Sequence, residues 1–199
     1  MKKIFFIALL TISSVYAQPP GQWMWIHGSS TSGAPANWGT MGVPAPTNVP
    51  AGVYEPCEWT DLNGNFWMFG GSGYAALWKY DPLTNQWTWI KGPNTTNYAG
   101  SYGTQGVPSP TNAPPSRVRT TATWVDLQNN LWLFGGGNRN DLWRYNITTN
   151  EWTWMKGATT ISQPGVYGVQ GVPDPANTPR SEEHTSELQS PYVISYAVF

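Results

Sequence analysis

An internal repeat of about 65 residues limits the possible folds of this chain more than any other feature. The pattern Trp-x-Trp-x-x-Gly occurs three times, at residues 23–28, 87–92 and 152–157, with steps of 64 and 65 residues. A Gly-Val-Pro tripeptide recurs with the same steps, at 42–44, 106–108 and 171–173. Because separate landmarks keep one register, the chain consists of duplicated structural units that stack on one another.

Within one unit the apolar residues alternate with a period of two, which is typical of β-strands. The side chains of Trp87 and Trp89, for example, project from the same side of an extended strand. Four short strands are predicted in each unit, at 56–60, 66–69, 77–80 and 86–90 and then at 120–125, 131–134, 142–145 and 151–155. The Asn-Gly pair at 63–64 is a favoured hairpin turn because both residues tolerate positive φ. The sequence therefore predicts an all-β fold of four-stranded antiparallel sheets.

The residues that recur in the two full units resemble the Kelch repeat of β-propellers. A glycine pair closes the second strand, and a Tyr and a Trp follow, with six residues between them. These residues are Gly70, Gly71, Tyr80 and Trp87 in the first unit and Gly135, Gly136, Tyr145 and Trp152 in the second. The resemblance implies β-propeller blades of four antiparallel strands, Kelch type, in an incomplete ring, with structural roles for these residues.

The repeat and the resemblance divide the chain into five segments. Residues 1–17 have a basic start, an apolar run and a final Val-Tyr-Ala, the pattern of a secretory signal peptide. We therefore expect a secreted or cell-surface protein with no membrane insertion after signal cleavage. Residues 18–49 would supply a closing strand and a loop, 50–114 a first blade with its long connection, and 115–179 a second blade with its long connection. Residues 180–199 differ in composition and resemble translated sequencing-adapter DNA, so we expect a non-biological tail there.

The charge and the cysteine content of the chain limit its partners and its means of stabilisation. Residues 18–179 carry seven Lys or Arg and eight Asp or Glu. Such a low, balanced charge does not favour binding to nucleic acid or to an anionic membrane. Cys57 is the only cysteine, which excludes an internal disulfide, so we expect stability to come from packing.

The long connections between units are the candidate ligand-binding loops, because loops of this length are usually functional or disordered. Each carries an aromatic residue at the same place, which is Trp38, Tyr102 or Tyr167. Two interpretations stay open: these rings pin each loop to its own blade, or they are platforms for a glycan or a protein. Tyr74 and Arg139 follow the glycine pairs and would lie at the same end of the blades as the connections.

Catalysis and metal binding have little support in the sequence. Asp61-x-Asn63-x-Asn65 is similar to part of a calcium loop, but the second unit does not keep it. Asp141 and Arg139 could pair at a rim, although solvation is the usual state of loop charges. We therefore expect no catalytic residue, no cofactor and no metal.

Three functions remain open at this stage. The leading hypothesis is a non-catalytic scaffold that binds a protein or a glycan. The second is part of an extracellular galactose oxidase-like or carbohydrate-active enzyme, because the galactose oxidase propeller is also of Kelch type. A copper site of that class uses a His pair and a linked Tyr–Cys pair, and the repeat units contain no His pair. The third is a purely structural module that links other domains.

Overall fold

The computed structural model describes residues 23–118 and 122–181, and this part of the chain forms two antiparallel sheets and no helix. Sheet 1 contains β1 (Cys57–Thr60), β2 (Phe66–Phe69), β3 (Leu77–Asp81) and β4 (Gln86–Lys91). Sheet 2 contains β5 (Ala122–Val125), β6 (Asn130–Phe134), β7 (Leu142–Asn146) and β8 (Glu151–Lys156). In both sheets the strands lie side by side in chain order. The all-β prediction is confirmed, and the two sheets are compatible with propeller blades.

Some predicted segments lie outside the described residues. These are the signal peptide at 1–17, the start of the strand predicted at 120–125, and the tail beyond Ser181. Residues 23–28, predicted as a closing strand, are described but are not in a strand, and the Trp23 side chain is 99% exposed. This segment lies beside sheet 1, since the His27 ring is 6.1 Å from the Tyr80 ring.

An aspartate organises the turn between the first two strands of each sheet. The Asp61 carboxylate accepts hydrogen bonds from the backbone N–H groups of Asn63 and Asn65 and from Trp67 Nε1. Burial alone would raise the pKa of Asp61, but these donors hold it below its ordinary value. Asp126 binds the corresponding groups in sheet 2. The residues that are similar to a calcium loop thus form a turn, in which the Asp61 carboxylate accepts hydrogen bonds from N–H groups.

The tight turn lies at 61–65, between β1 and β2, as predicted, but only one residue of the Asn-Gly pair has positive φ. Gly64 has φ +82°, but Asn63 is not among the residues with positive φ. The turn is instead closed by hydrogen bonds from Asp61 N to Asn65 O (2.9 Å) and from Gly64 N to Asp61 O (3.0 Å). The side chain of Asp61 therefore decides the turn conformation more than the Asn-Gly preference does.

The core lies between the two sheets and consists mainly of aromatic rings. The Trp67 ring lies 5.8 Å from the Tyr145 ring, and the Phe69 ring lies 5.5 Å from the Trp152 ring. Trp59 Nε1 donates a hydrogen bond to the Trp132 carbonyl across the same interface (2.7 Å). Large rings bury much apolar surface at a low cost in side-chain entropy, so they can stabilise this interface without a disulfide.

The tyrosines, tryptophans and glycine pairs that recur in both units take structural positions in both sheets. Tyr80 and Tyr145 each donate from the hydroxyl to an asparagine in the following turn, Asn85 or Asn150, at 2.8 Å. Each tyrosine ring also packs against the tryptophan opposite it on the last strand, at 5.1 Å for Tyr80–Trp87 and 5.0 Å for Tyr145–Trp152. The glycine pairs have positive φ, at Gly70, Gly71, Gly135 and Gly136.

Replacing Trp152 with alanine tests the interface between the sheets. The side chain is 1% exposed, so we expect the free energy of unfolding to fall by about 3–5 kcal/mol. Leu83→Ala is the matched control, because that side chain is 95% exposed and should change stability by less than about 0.5 kcal/mol. Urea unfolding followed by tryptophan fluorescence would measure both. A loss below about 1 kcal/mol for Trp152→Ala would contradict this account of the core.

Candidate functional site

Three connections with one common shape follow the three Trp-x-Trp segments. We call them connection 1 (34–52), connection 2 (98–116) and connection 3 (163–181). A backbone hydrogen bond closes the base of each loop, from Gly52 N to Ala34 O, from Ser116 N to Tyr98 O and from Ser181 N to Gln163 O. A second antiparallel pair lies inside each loop, at Asn37–Val49, Ser101–Ala113 and Val166–Thr178. The connections are therefore ordered loops, and the repeated geometry continues through Ser181, past the predicted boundary at 180.

An asparagine in connection 2 joins this loop to the outer strand of sheet 2. Asn112 Nδ2 donates to Val107 O (2.9 Å) within the loop and to Trp152 O (3.1 Å) on β8. Gly106 N donates to Trp154 O at 2.8 Å, so the carbonyls of both tryptophans on this edge accept hydrogen bonds. The loop thereby occupies an edge that would otherwise expose unpaired backbone groups.

Connection 1 closes the edge of sheet 1 in the same way. Asn48 Nδ2 donates to Val43 O (2.9 Å) and to Trp87 O (3.0 Å), and Gly42 N donates to Trp89 O (2.8 Å). Both asparagines are almost fully buried. We refer to this set of bonds, one from a glycine N–H and one from an asparagine amide to two tryptophan carbonyls, as the Asn–Gly clamp.

A glycine lies directly over the oxygen of the corresponding asparagine in all three connections. Gly103 has φ +62°, and a Cβ there would overlap Asn112 Oδ1. Gly39 and Gly168 have the same relation to Asn48 and Asn177. Both the positive φ and the close approach require glycine at this place.

The predicted loop aromatics pack on the sheet that follows the loop, and not on the one that precedes it. The Tyr102 ring lies 5.0 Å from the Trp143 ring and 5.3 Å from the Trp154 ring, both in sheet 2. The Trp38 ring lies 5.2 Å from Trp78 and 5.0 Å from Trp89, both in sheet 1. For Trp38 and Tyr102, the expectation that each ring pins the loop to its own blade was therefore wrong about the blade, because connections 1 and 2 each close the outer edge of the sheet that follows.

The third predicted aromatic has a different environment. Tyr167 is 70% exposed, and its ring lies over Gly165 in its own loop, close enough that a Cβ at Gly165 would contact Cζ at 2.7 Å. Of the three loop rings, Trp38 and Tyr102 are thus half-buried against a sheet, whereas the Tyr167 ring faces solvent.

A buried ion pair lies beneath Tyr102. Arg117 binds Asp141 through two nitrogens, with Nη1–Oδ1 at 3.0 Å and Nη2–Oδ2 at 2.9 Å, and both side chains are almost fully buried. Tyr102 Oη and Trp143 Nε1 each donate to Asp141 Oδ2 at 2.8 Å. Arg117 Nη1 also donates to the Gly135 carbonyl. The charges are buried but well supplied with partners, as such charges must be.

Asp141 has neither of the two environments considered from the sequence, which were solvation or a pair with Arg139. Arg139 does not reach this carboxylate; it donates to Tyr102 Oη at 3.2 Å and to the Thr159 carbonyl at 3.5 Å. The expected solvation of Asp141 is also wrong, since this residue is 0% exposed. Arg117 was missed because no repeated pattern marks it in the sequence.

Burial and the ion pair together shift the pKa values of Asp141 and Tyr102. Burial alone would raise the pKa of Asp141, but the Arg117 guanidinium and the N–H and O–H donors hold it below its ordinary value. Burial and the negative charge of Asp141 raise the pKa of Tyr102 well above its ordinary value. The Tyr102 hydroxyl therefore stays protonated and serves as a hydrogen-bond donor.

Sheet 1 fills the corresponding place without charges. Gly52, Ala76 and Trp38 stand at the positions of Arg117, Asp141 and Tyr102, one repeat earlier. The larger indole ring of Trp38 lies against Trp78 and Trp89 there. The same place is thus filled by an ion pair in one unit and by a larger aromatic ring in the other. We therefore infer that the Arg117–Asp141 pair has a structural role, which is to fill this buried space.

The turns after the glycine pairs meet the beginnings of the connecting segments at one end of the sheets. Tyr74 pairs with Thr96, and Asn97 N donates to Gly73 O at 2.9 Å. In sheet 2, Ser162 N donates to Asn138 O at 2.8 Å. We call this end the loop face, with residues 54, 72–74 and 94–97 in sheet 1 and residues 137–140 and 158–162 in sheet 2. The predicted residues Tyr74 and Arg139 both belong to it and are half-buried.

Comparison with known proteins adds no further assignment, because the chain matches no protein-family model and no curated protein. Among the described residues, no group of three or more His, Cys, Asp or Glu is placed to hold a metal ion. In the same part of the chain, no helix has the length and apolarity needed to cross a membrane.

Replacing Asp141 with asparagine tests the buried network. The change leaves the Arg117 charge buried without its counter-ion, so we expect a loss of about 3–5 kcal/mol in the free energy of unfolding. The matched variant carries the sheet 1 residues at all three places, Tyr102→Trp, Arg117→Gly and Asp141→Ala. We expect it to be more stable than Asp141→Asn in urea unfolding at pH 7. If it were equally destabilised, the two units would not be equivalent at this place.

The pH dependence of stability provides a second test. The pKa values of Asp61, Asp126 and Asp141 are lowered in the folded chain, so the unfolded chain binds more protons in mild acid. Stability should therefore be complete above the unfolded-state pKa of about 3.9 and should be lost as the pH falls through the folded-state values. Urea midpoints measured from pH 7 to pH 2.5 should decrease on acidification, and less steeply for Asp141→Asn. Equal slopes would show that Asp141 does not contribute.

Proposed function

We propose that this chain provides two consecutive blades of an exported Kelch-type β-propeller, which binds a protein or a glycan without catalysis. Two observations support the propeller: each repeat contains one four-stranded antiparallel sheet, and the sheets pack face to face through aromatic rings. The signal-peptide pattern at 1–17 supports export.

The loop face supports the binding function, because backbone hydrogen bonds hold its loops in fixed conformations. Asn97 N donates to Gly73 O at 2.9 Å in sheet 1, and Ser162 N donates to Asn138 O at 2.8 Å in sheet 2. Loops preorganised in this way lose little entropy when a ligand binds.

The side chains on the loop face indicate the kind of ligand. Tyr54 is 65% exposed and Ile161 is 52% exposed. The loop face also carries exposed threonines and asparagines, at 94–97 and 159–160. Aromatic and hydroxyl groups with little charge suit a neutral glycan or an uncharged protein surface. Trp38 and Tyr102 contribute to this site indirectly, because their rings are occupied by packing.

A glycan array probed with the purified chain tests this proposal. We expect binding to a neutral glycan, and we expect the double variant Tyr54→Ala, Ile161→Ala to weaken it at least tenfold, a loss of about 1.4 kcal/mol or more. The matched control is Leu83→Ala, Leu127→Ala, which removes two exposed side chains from the opposite end of the sheets. If the first variant still bound the glycan and the control did not, the binding site would lie at the end opposite the loop face, which would contradict the proposal.

A further inference from the structure

Connection 3 has the internal structure of the two connections that hold a sheet edge. Val166 N donates to Thr178 O and Thr178 N donates to Val166 O, both at 2.8 Å, as in the corresponding pair of connection 2. Asn177 Nδ2 donates to Val172 O at 3.3 Å, which repeats the bond inside the loop made by Asn112. The loop half of the Asn–Gly clamp is therefore already formed.

The side of connection 3 that corresponds to the strand-binding side of connection 2 faces solvent. Tyr167 is 70% exposed, whereas Tyr102 is half-buried against sheet 2. Asn177 is half-buried, whereas Asn112 in the occupied connection 2 is almost fully buried. A preformed loop with an exposed aromatic ring is typical of an interaction surface.

We propose that connection 3 is a docking site for the outer edge of a Trp-x-Trp strand in a further four-stranded sheet of this repeat type. Asn177 Nδ2 donates to the carbonyl of the first tryptophan, and Gly171 N donates to the carbonyl of the second. The Tyr167 ring packs on the second tryptophan and on the tryptophan of the neighbouring strand. This assignment does not depend on the proposed function of the loop face.

The partner is identified by comparing the two occupied connections. These connections differ in their aromatic residue, Trp38 or Tyr102, and in the buried groups beneath it. They share the same two acceptors, the carbonyls of tryptophans at positions i and i+2 of an outer strand. The hydrogen-bond donors of the clamp are thus spaced for the carbonyls at positions i and i+2 of a β-strand edge.

The experiment uses the full chain labelled with ¹⁵N and a backbone-cyclised hairpin of residues 141–157 as the probe. This hairpin presents the β8 edge together with Trp143, the two features that connection 2 contacts. We expect saturable shifts of the Gly171 backbone amide and of the Asn177 side-chain amide. Tyr167→Ala and Asn177→Ala should each raise the dissociation constant at least tenfold. Because Tyr167 is exposed, its substitution should leave the circular dichroism spectrum unchanged.

Two controls make the outcome decisive. A hairpin with both Trp152 and Trp154 replaced by serine should bind at least tenfold more weakly, and the chain variant Leu83→Ala should bind as the wild type does. Binding that is unaffected by the Tyr167 and Asn177 substitutions would overturn the proposal, as would the absence of any shift at Gly171. The proposal would also be overturned if the chain associated with itself through connection 3 and the hairpin failed to compete.

Discussion

Two hydrogen bonds from a loop to two tryptophan carbonyls close the outer edge of each sheet, and the rest of the structure depends on this contact. A four-stranded sheet by itself exposes an edge and two faces, so it cannot fold stably alone. The neighbouring sheet covers one face through rings such as Trp67 and Trp152. The connection covers the edge through Asn48 or Asn112. Because connection 2 leaves sheet 1 and closes the edge of sheet 2, the two sheets pack in the order of their repeats along the chain.

With the sheet edge held by this contact, the residues buried beneath each loop can differ between the two repeats. In sheet 2 a buried ion pair between Arg117 and Asp141 lies beneath the loop, and in sheet 1 the indole ring of Trp38 packs on Trp78 and Trp89. A buried ion pair contributes little net stability against an apolar replacement of similar volume, but it is costly to break halfway. The two repeats can therefore differ here without a change of backbone conformation, as long as each repeat keeps its complete set of residues at this place.

Much of the fold could be predicted because the repeat carries its own landmarks. The period-two pattern around Trp87 and Trp89 placed the last strand of sheet 1 to within one residue of its end at Lys91. The sheet that each connection contacts could not be predicted in this way. Asn112 and Trp152 are 40 residues apart, and no local pattern links them. The asparagines at 48, 112 and 177 do recur in register, and this signal would have pointed to the clamp.

The candidate site was harder to predict, since its features depend on contacts distant in sequence. The pairing of Asp141 with Arg117 spans 24 residues, whereas the sequence offered only solvation or a pair with the nearer Arg139. The left-handed conformations of Asn97 and Ser162 depend on backbone hydrogen bonds to the preceding turn, such as Ser162 N to Asn138 O. Residue type alone does not specify these conformations, because serine rarely adopts them without such support.

Amide hydrogen exchange at the three clamp glycines tests most directly whether the connections hold the sheet edges. If they do, the N–H groups of Gly42 and Gly106 exchange slowly, at rates close to those of β4 and β8, because they donate to Trp89 and Trp154. The N–H of Gly171, in the connection whose strand-binding side faces solvent, exchanges much faster. Substituting Asn112 with alanine should accelerate exchange at Gly106 and leave Gly42 unchanged. Equal, fast exchange at all three glycines would contradict the account.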